Sequence, residues 1–426
     1  MLLRFETGNF LSFAGVQELS LVASKLKGRE DGLMPIPGTP EFQAVPATLI
    51  YGANASGKTN FVRAFTFMRS AILHSHSQGS PDGGVPRKPF ALDEEIRMTP
   101  SHCEAEFVVD GTRFIFGFTC DDESFLTEWL YAFPEGKRRK LYEREGKMVT
   151  FGQSMAGAKK TLVEFMRNNS LFISTATQND HEELSRIATF FRNCTYSSNL
   201  EVSAANISNT FKKGQIDARA ISFLQDTGTG IVGLEQHEKE ITDEVKNFNT
   251  EFRSVLRKYL GDEIAPDPNT NEKDVEIQLI HQGTKKEYSL PLQQESSGTR
   301  RLLILISKIL RALDKGTLII VDELDASLHT LVAEQIIELF TNKEYNPRGA
   351  QLIATTHDTN LLACGHLRRD QIWFCEKDGT GSSHIFSLAD FKLRPTDKFG
   401  KGYLEGRFGA IPFAGDLNAL VGGKAS

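Results

Sequence analysis

Gly52-Ala53-Asn54-Ala55-Ser56-Gly57-Lys58-Thr59 is the stretch on which the fold turns. It follows the apolar run Thr48–Tyr51, which reads as a strand. It precedes Asn60–Leu73, where Phe61, Ala64, Phe65, Phe67, Met68, Ala71 and Ile72 recur at helical spacing. Strand, glycine loop and helix in that order are the context in which the pattern G-x-x-x-x-G-K-[ST] has a mechanism. Glycines let backbone N–H groups approach phosphate oxygens, and the helix N-terminus adds positive potential. On this reading Gly52, Asn54, Ala55, Ser56, Gly57, Lys58, Thr59 and Asn60 are candidate nucleotide-binding residues. Lys58 would neutralise the β and γ oxygens, and the Thr59 hydroxyl would ligate Mg²⁺.

Working outward, Leu318-Ile319-Ile320-Val321 is an apolar strand that ends in Asp322-Glu323. Asp322 is then expected at the strand's carboxyl edge as a Mg²⁺ ligand, with Glu323 beside it to polarise water as a candidate catalytic residue. A plain acidic strand-to-helix cap would explain one carboxylate, but not its coincidence with the glycine loop. Upstream, Glu295-Ser296-Ser297-Gly298-Thr299 opens the helical run Arg300–Leu313 and stands 24 residues before Asp322 (298 to 322). Downstream come Leu324-Asp325-Ala326-Ser327-Leu328-His329 and, after apolar Leu352-Ile353-Ala354, Thr355-Thr356-His357. Taken singly, Ser-Ser-Gly is a helix cap and His357 a satisfied strand-end histidine. Their order resembles that of ABC-type ATPases, and that resemblance makes Ser296, Ser297, Gly298 and Asp325 candidate nucleotide-binding residues and His357 a second candidate catalytic residue. Ser297 and Gly298 would present a hydroxyl and N–H groups to a γ-phosphate held by another subunit, and His357 would contact the phosphate of its own.

The intervening chain divides into four expected parts. Residues 1–75 carry the phosphate loop, and residues 76–155 read as a β-rich subdomain, with a hairpin over Cys103–Phe118 around Asp110-Gly111 and a further strand at Trp129–Phe133. Residues 156–272 read as a helical insertion, broken at Asp226–Gly230, in which Glu235–Leu260 is the clearest helix. Residues 273–426 return to the first lobe, with alternating strands at Val275–His281 and Glu287–Leu292 and a buried parallel strand at Thr317–Val321.

Composition excludes several classes. A chain of 426 residues, 40% hydrophobic, can bury a sizeable core. No stretch approaches the roughly 18 consecutive apolar residues of a membrane span, so no membrane association is expected. Met1–Ser12 lacks a signal-peptide pattern, and the protein is expected in the cytoplasm. Five cysteines give no disulfide framework, and Cys364, His366, Cys375 and His384 lack the paired spacing of a zinc site. A formal charge of −6 gives no global basic footprint, so nucleic acid as a partner would need a local patch. Lys137-Arg138-Arg139-Lys140 follows a turn and reads as a solvated hairpin tip rather than such a patch.

With these elements the chain resembles ABC-type ATPases of the SMC and OLD-like class, in particular prokaryotic AAA-type abortive-infection ATPases of the AbiL and RloA type. Residues 1–75 and about 285–412 carry the resemblance. Ser296–Gly298 stands where the signature belongs, Asp325 in the D-loop and His357 at the switch. Gly8-Asn9-Phe10-Leu11-Ser12-Phe13 resembles the class's N-terminal strand motif, and Lys401–Pro412 the closing motif of the abortive-infection group. The resemblance implies an α/β fold, an ABC-type P-loop NTPase with a mixed, mainly parallel core sheet, an antiparallel β subdomain and a helical insertion. It implies ATP and Mg²⁺ as cofactors, ATP hydrolysis, and a homodimer, or a higher oligomer built on it, that clamps ATP between subunits. It also implies a role as sensor or scaffold in phage defence with a separate effector, a nuclease or toxin. Two departures stand out: the signature reads Ser-Ser-Gly-Thr rather than Ser-Gly-Gly-Gln, and residues 76–155 offer no convincing Q-loop glutamine. Residues 358–426 are too few for the Toprim nuclease of OLD enzymes. The alternatives are an SMC-like DNA-maintenance ATPase, for which Glu235–Leu260 is too short a coiled coil, and a transporter subunit, which would not separate loop and signature by residues 60–294.

Overall fold

Two sheets and the helix that follows the glycine loop organise the molecule. The computed structural model describes residues 1–26, 28–153, 155, 157, 159–198, 216–240, 251, 273–393 and 398–411. The first sheet has seven antiparallel strands in the order Met148–Phe151, Arg139–Glu145, Phe125–Phe133, Thr112–Cys120, Ser101–Val109, Leu2–Gly8 and Gln17–Ser20. Its central hairpin turns at Asp110 and Gly111, both at positive φ (46° and 74°), as a tight two-residue turn demands. The second sheet has six strands in the order Thr195–Ser197, Leu318–Val321, Gln351–Thr356, Ala47–Tyr51, Ile372–Lys377 and Ser383–Ser387. Its first five strands are parallel and the last is antiparallel to its neighbour. The fold is thus α/β, with a mainly parallel core sheet beside an antiparallel one.

The parallel strands are apolar along their length because both faces are covered. Ile50, Ile320 and Ile353 join the core shared with helix Lys58–His74 and the inner face of the antiparallel sheet. Leu49, Tyr51, Ile319, Val321, Leu352 and Ala354 face the opposite way, into the core formed with helices Ser297–Lys315 and Thr330–Thr341. Phe61 and Phe65 of the first helix pack edge-on against Phe5, and full burial of such rings contributes about 1.5–3 kcal/mol each. The helix bearing Lys58 and Thr59 is thereby pinned between the two sheets.

One expectation fails. Ile231–Glu240 is a strand rather than the start of a helix over Glu235–Leu260, and it pairs antiparallel with Lys273–Gln282, from Ile231↔His281 to Glu240↔Lys273. The polar run Glu235–Glu240 suits a helix locally, but cross-strand pairing over ten residues overrides that weak preference. Residues 241–250 and 252–260 of that expected helix lie outside the described residues. Thr195–Ser197 is a second strand in a stretch expected to be helical, and it extends the parallel sheet beside Leu318–Val321. Helices Lys159–Phe165, Phe172–Gln178, Glu182–Asn193 and Ala218–Asp226 account for much of what is described between them. Among the described residues no helix is long and apolar enough to cross a membrane.

Candidate functional site

The glycine loop leaves the carboxyl end of strand Ala47–Tyr51 and runs into helix Lys58–His74, and its two fixed glycines are forced by neighbours. A Cβ on Gly52 would stand 2.2 Å from the Cys375 carbonyl oxygen, and one on Gly57, at φ 118°, would stand 2.3 Å from Ser383 Oγ. Ser383 donates to the Ser56 carbonyl (2.6 Å) and its Oγ lies 2.8 Å from Ser12 Oγ, which accepts from Asn60 Nδ2 (2.9 Å). Burial pushes the Cys375 thiol up to about 11, and as a neutral S–H it too donates to Ser56 O. Asn54 and Ala55 lie exposed on the rim. Lys58 is buried, and its Nζ donates back to the carbonyls of Gly52 (2.8 Å) and Ala53 (2.9 Å). Burial lowers its pKa, against the opposing pull of Cys375, Asp322, Asp325 and Glu323.

The two carboxylates follow strand Leu318–Val321, which Gln351–Thr356 separates from Ala47–Tyr51 in the parallel sheet. Asp322 Oδ1 accepts from Thr59 Oγ1 (3.2 Å) and Thr355 Oγ1 (2.7 Å), so two strand ends and the start of helix Lys58–His74 meet at one oxygen. A hydroxyl and a carboxylate this close are hard oxygen donors of the kind Mg²⁺ takes, and Thr59 and Asp322 would hold it. Glu323 sits at φ 57°, a left-handed conformation that costs a non-glycine residue on the order of 1–3 kcal/mol. Its surroundings enforce that conformation. Thr355 Oγ1 accepts the Glu323 N–H (2.7 Å), the Thr355 carbonyl accepts the Leu324 N–H (2.8 Å), and Arg301 donates to the Glu323 carbonyl.

Arg301 belongs to helix Ser297–Lys315, whose N-cap Ser296 accepts the Thr299 N–H (3.1 Å). Its guanidinium also donates to the carbonyls of Ala326 and Asp322, and a Cβ on Gly298 would lie 2.8 Å from Ser327 O. The signature-like residues are therefore seated on the Asp325–Ser327 loop of their own chain. Ser296 and Ser297 are exposed, and among the described residues no hydrogen bond joins Ser296, Ser297 or Gly298 to residues 52–60. Asp325 accepts the His357 backbone N–H with both oxygens (3.2 Å each). Burial, and then the nearby Lys58 cation, lower the pKa of the His357 imidazole.

The structure thus brings together Lys58, Thr59, Asp322, Glu323, Asp325 and His357 at the carboxyl ends of adjacent parallel strands, while among the described residues no hydrogen bond joins Ser296–Gly298 to the glycine loop. Thr355, Arg301, Ser12, Ser383 and Cys375 also support the site, and sequence reading assigned them no role. Thr355 carried a faint signal, two residues before His357; the others are joined to the loop by tertiary contact alone. The closing motif packs behind the loop: Tyr403 stacks on Phe374 (5.3 Å, 12°), Phe408 on Phe374 (5.8 Å), and Tyr403 lies 6.2 Å from Tyr51. Glu376 accepts the Ala410 N–H (3.0 Å); Pro412 lies outside the described residues.

A family model described as "AAA domain, putative AbiEii toxin, Type IV TA system" matches residues 47–363, from the strand before the glycine loop to just past His357. Among solved structures, the Smc head domain of Pyrococcus furiosus, with an extended coiled coil and bound to the C-terminal domain of ScpA, is similar at 13% identity and a TM-score of 0.36. That match covers 91% of this chain and 96% of the other. No curated protein sequence matches.

Proposed function

Because the chain belongs to this AAA-domain family, a family of P-loop ATPases, we propose that it binds and hydrolyses ATP in a homodimer and acts as sensor or scaffold of a prokaryotic abortive-infection system whose effector is a separate nuclease or toxin. The observation that carries the catalytic part is the meeting of Lys58, Thr59, Asp322, Glu323 and His357 at one edge of the parallel sheet, where α/β folds bind ligands. Lys58 exchanges its contacts with the Gly52 and Ala53 carbonyls for β and γ phosphate oxygens. Thr59 and Asp322 hold Mg²⁺, which when bound draws off charge from those oxygens. Glu323, fixed by Thr355 and Arg301, orients the attacking water, and His357 reads the γ-phosphate from the same side. Ser296 and Ser297, which are exposed, and Gly298, seated on the Ser327 carbonyl, serve the nucleotide of the second copy. The defence role draws on the toxin–antitoxin description of the family and on the closing motif of residues 401–412.

The tests separate chemistry from biology. Calorimetric titration should show ATP binding to the wild-type chain and none to Lys58→Ala; unchanged affinity sinks the loop assignment. Cells carrying the gene with its neighbours should resist phage, and Lys58→Ala should remove that resistance. Normal phage sensitivity with DNA-stimulated turnover would instead favour a DNA-maintenance role.

A further inference from the structure

The first turn of helix Ser297–Lys315 carries two adjacent arginines with opposite fates. Arg301 is buried, and its guanidinium is taken up by the carbonyls of Asp322, Glu323 and Ala326. The Arg300 backbone N–H donates to the Ser296 carbonyl (3.1 Å), but its guanidinium makes no hydrogen bond or ion pair among the described residues, and its Nε is shut off from solvent without an acceptor. Arg113, Arg139 and Arg167 also bury an Nε without an acceptor, but each is held through its Nη groups, by Glu106, Glu183 and the His76 carbonyl; the Arg300 guanidinium has no such hold among the described residues, and an unpaired charged donor is costly. Position says what is missing. Arg300 follows Ser296 by four residues and Ser297 by three, so it continues their stripe on the helix, whereas Arg301 turns toward the Asp325–Ser327 loop. Both serines are exposed. The unemployed cation therefore shares a face with the hydroxyl and N–H groups of the helix start, and among the described residues no hydrogen bond joins that face to its own phosphate loop.

We propose that Arg300 is a phosphate ligand in trans: its guanidinium donates to γ-phosphate oxygens of the nucleotide held by Lys58 and Thr59 of a second copy of this chain. The inference rests on the composite-site reading above and adds to it the residue that supplies positive charge from the signature side. No cation stands between the two serines and Arg300, and a guanidinium fork suits phosphate oxygens geometrically. Fixed donors of this kind act on charge that develops during transfer, so turnover depends on Arg300 more than binding does.

The experiment compares ATP turnover of Arg300→Ala, Lys58→Ala and Ser297→Arg, alone and in pairwise mixtures, with melting temperature as the structural control. Arg300→Ala alone should lose about 100-fold in turnover, the scale of a removed transition-state donor, while its melting temperature and its ATP affinity hold. Mixed with Lys58→Ala it should regain turnover, because each mixed dimer pairs an intact Lys58 with an intact Arg300 from opposite chains. Wild-type turnover in Arg300→Ala overturns the proposal. So does a mixture of Arg300→Ala and Lys58→Ala that stays inactive while Ser297→Arg with Lys58→Ala recovers, and in that case the composite site itself stands. If neither mixture recovers, the composite site is wrong and Arg300 falls with it. Arg300→Lys, which keeps charge but loses the fork, should fall between alanine and wild type.

Discussion

The phosphate-loop side and the signature side of this chain are built to opposite specifications. On the first, the groups placed to meet nucleotide and metal have partners in the same chain, although the buried Ser56 Oγ and Tyr51 Oη have none: Lys58 holds two loop carbonyls, Asp322 holds two hydroxyls, and the Glu323 N–H is held by Thr355. On the second, Ser296 and Ser297 are exposed and the Arg300 Nε has no acceptor. A satisfied half can stand as a folded monomer and wait for ligand. An unsatisfied half implies a surface whose partners arrive with something else, and that asymmetry supports two copies meeting around nucleotide.

The largest expected effect breaks the cycle between these halves. Glu323→Gln keeps size and backbone but removes the carboxylate, so ATP should still bind while phosphate release falls by about 100-fold or more. With turnover no longer draining the bound state, light scattering should report an ATP- and Mg²⁺-dependent dimer that persists. Wild-type hydrolysis in this variant would show that Glu323 is not the catalytic carboxylate.

Two glycines sharpen the contrast. Gly57→Ala places a methyl on Ser383 Oγ at φ 118°, a combined clash and strain expected to cost about 1–3 kcal/mol and to abolish ATP binding by distorting the loop. Gly298→Ala meets only the Ser327 carbonyl, so it should leave ATP binding to the monomer intact and weaken the ATP-dependent dimer. Denaturant midpoints and calorimetry on both variants read the difference. Equal loss of ATP affinity in the two would erase the division between the halves.

How much of this was legible beforehand follows from the range of the forces. The loop, the strand ending in Asp322-Glu323, and the helix from Ser297 announced themselves because their signals are local: glycines at fixed spacing, a short apolar run, a serine cap. Ile231–Glu240 misled because its local chemistry is polar and helix-tolerant, and only Lys273–Gln282, more than thirty residues on, makes it a strand. Arg301 and Ser383 were invisible for the same reason, since their roles exist only through carbonyls and hydroxyls distant in sequence. The closing motif was recognised by resemblance, and its physical role emerges only in space. Tyr403→Phe, which removes the bond from Tyr403 Oη to the Ala410 carbonyl (2.9 Å), should cost about 1 kcal/mol, read as a lower melting temperature with ATP affinity unchanged.

The smallest effect tests whether the switch histidine feels the loop. Burial and then Lys58 hold the His357 pKa below its ordinary value of 6.5, while Asp325, Glu323 and Asp322 pull it upward. The imidazole is therefore neutral at neutral pH. Because the unfolded chain takes the proton more readily, His357 contributes stability that is present above pH 6.5 and declines as pH falls below it. The residue is partly buried and partly exposed, so solvent partly screens that contribution. Removing the cation in Lys58→Ala should move the His357 titration upward, read by NMR from its ring protons, because one of the two lowering influences is gone and all three carboxylates remain. Asp325→Asn should move it the opposite way. A histidine that titrates identically in all three proteins would mean that Lys58 and Asp325 do not reach it. The phosphate-loop side would then be a set of adjacent groups rather than one electrostatic unit.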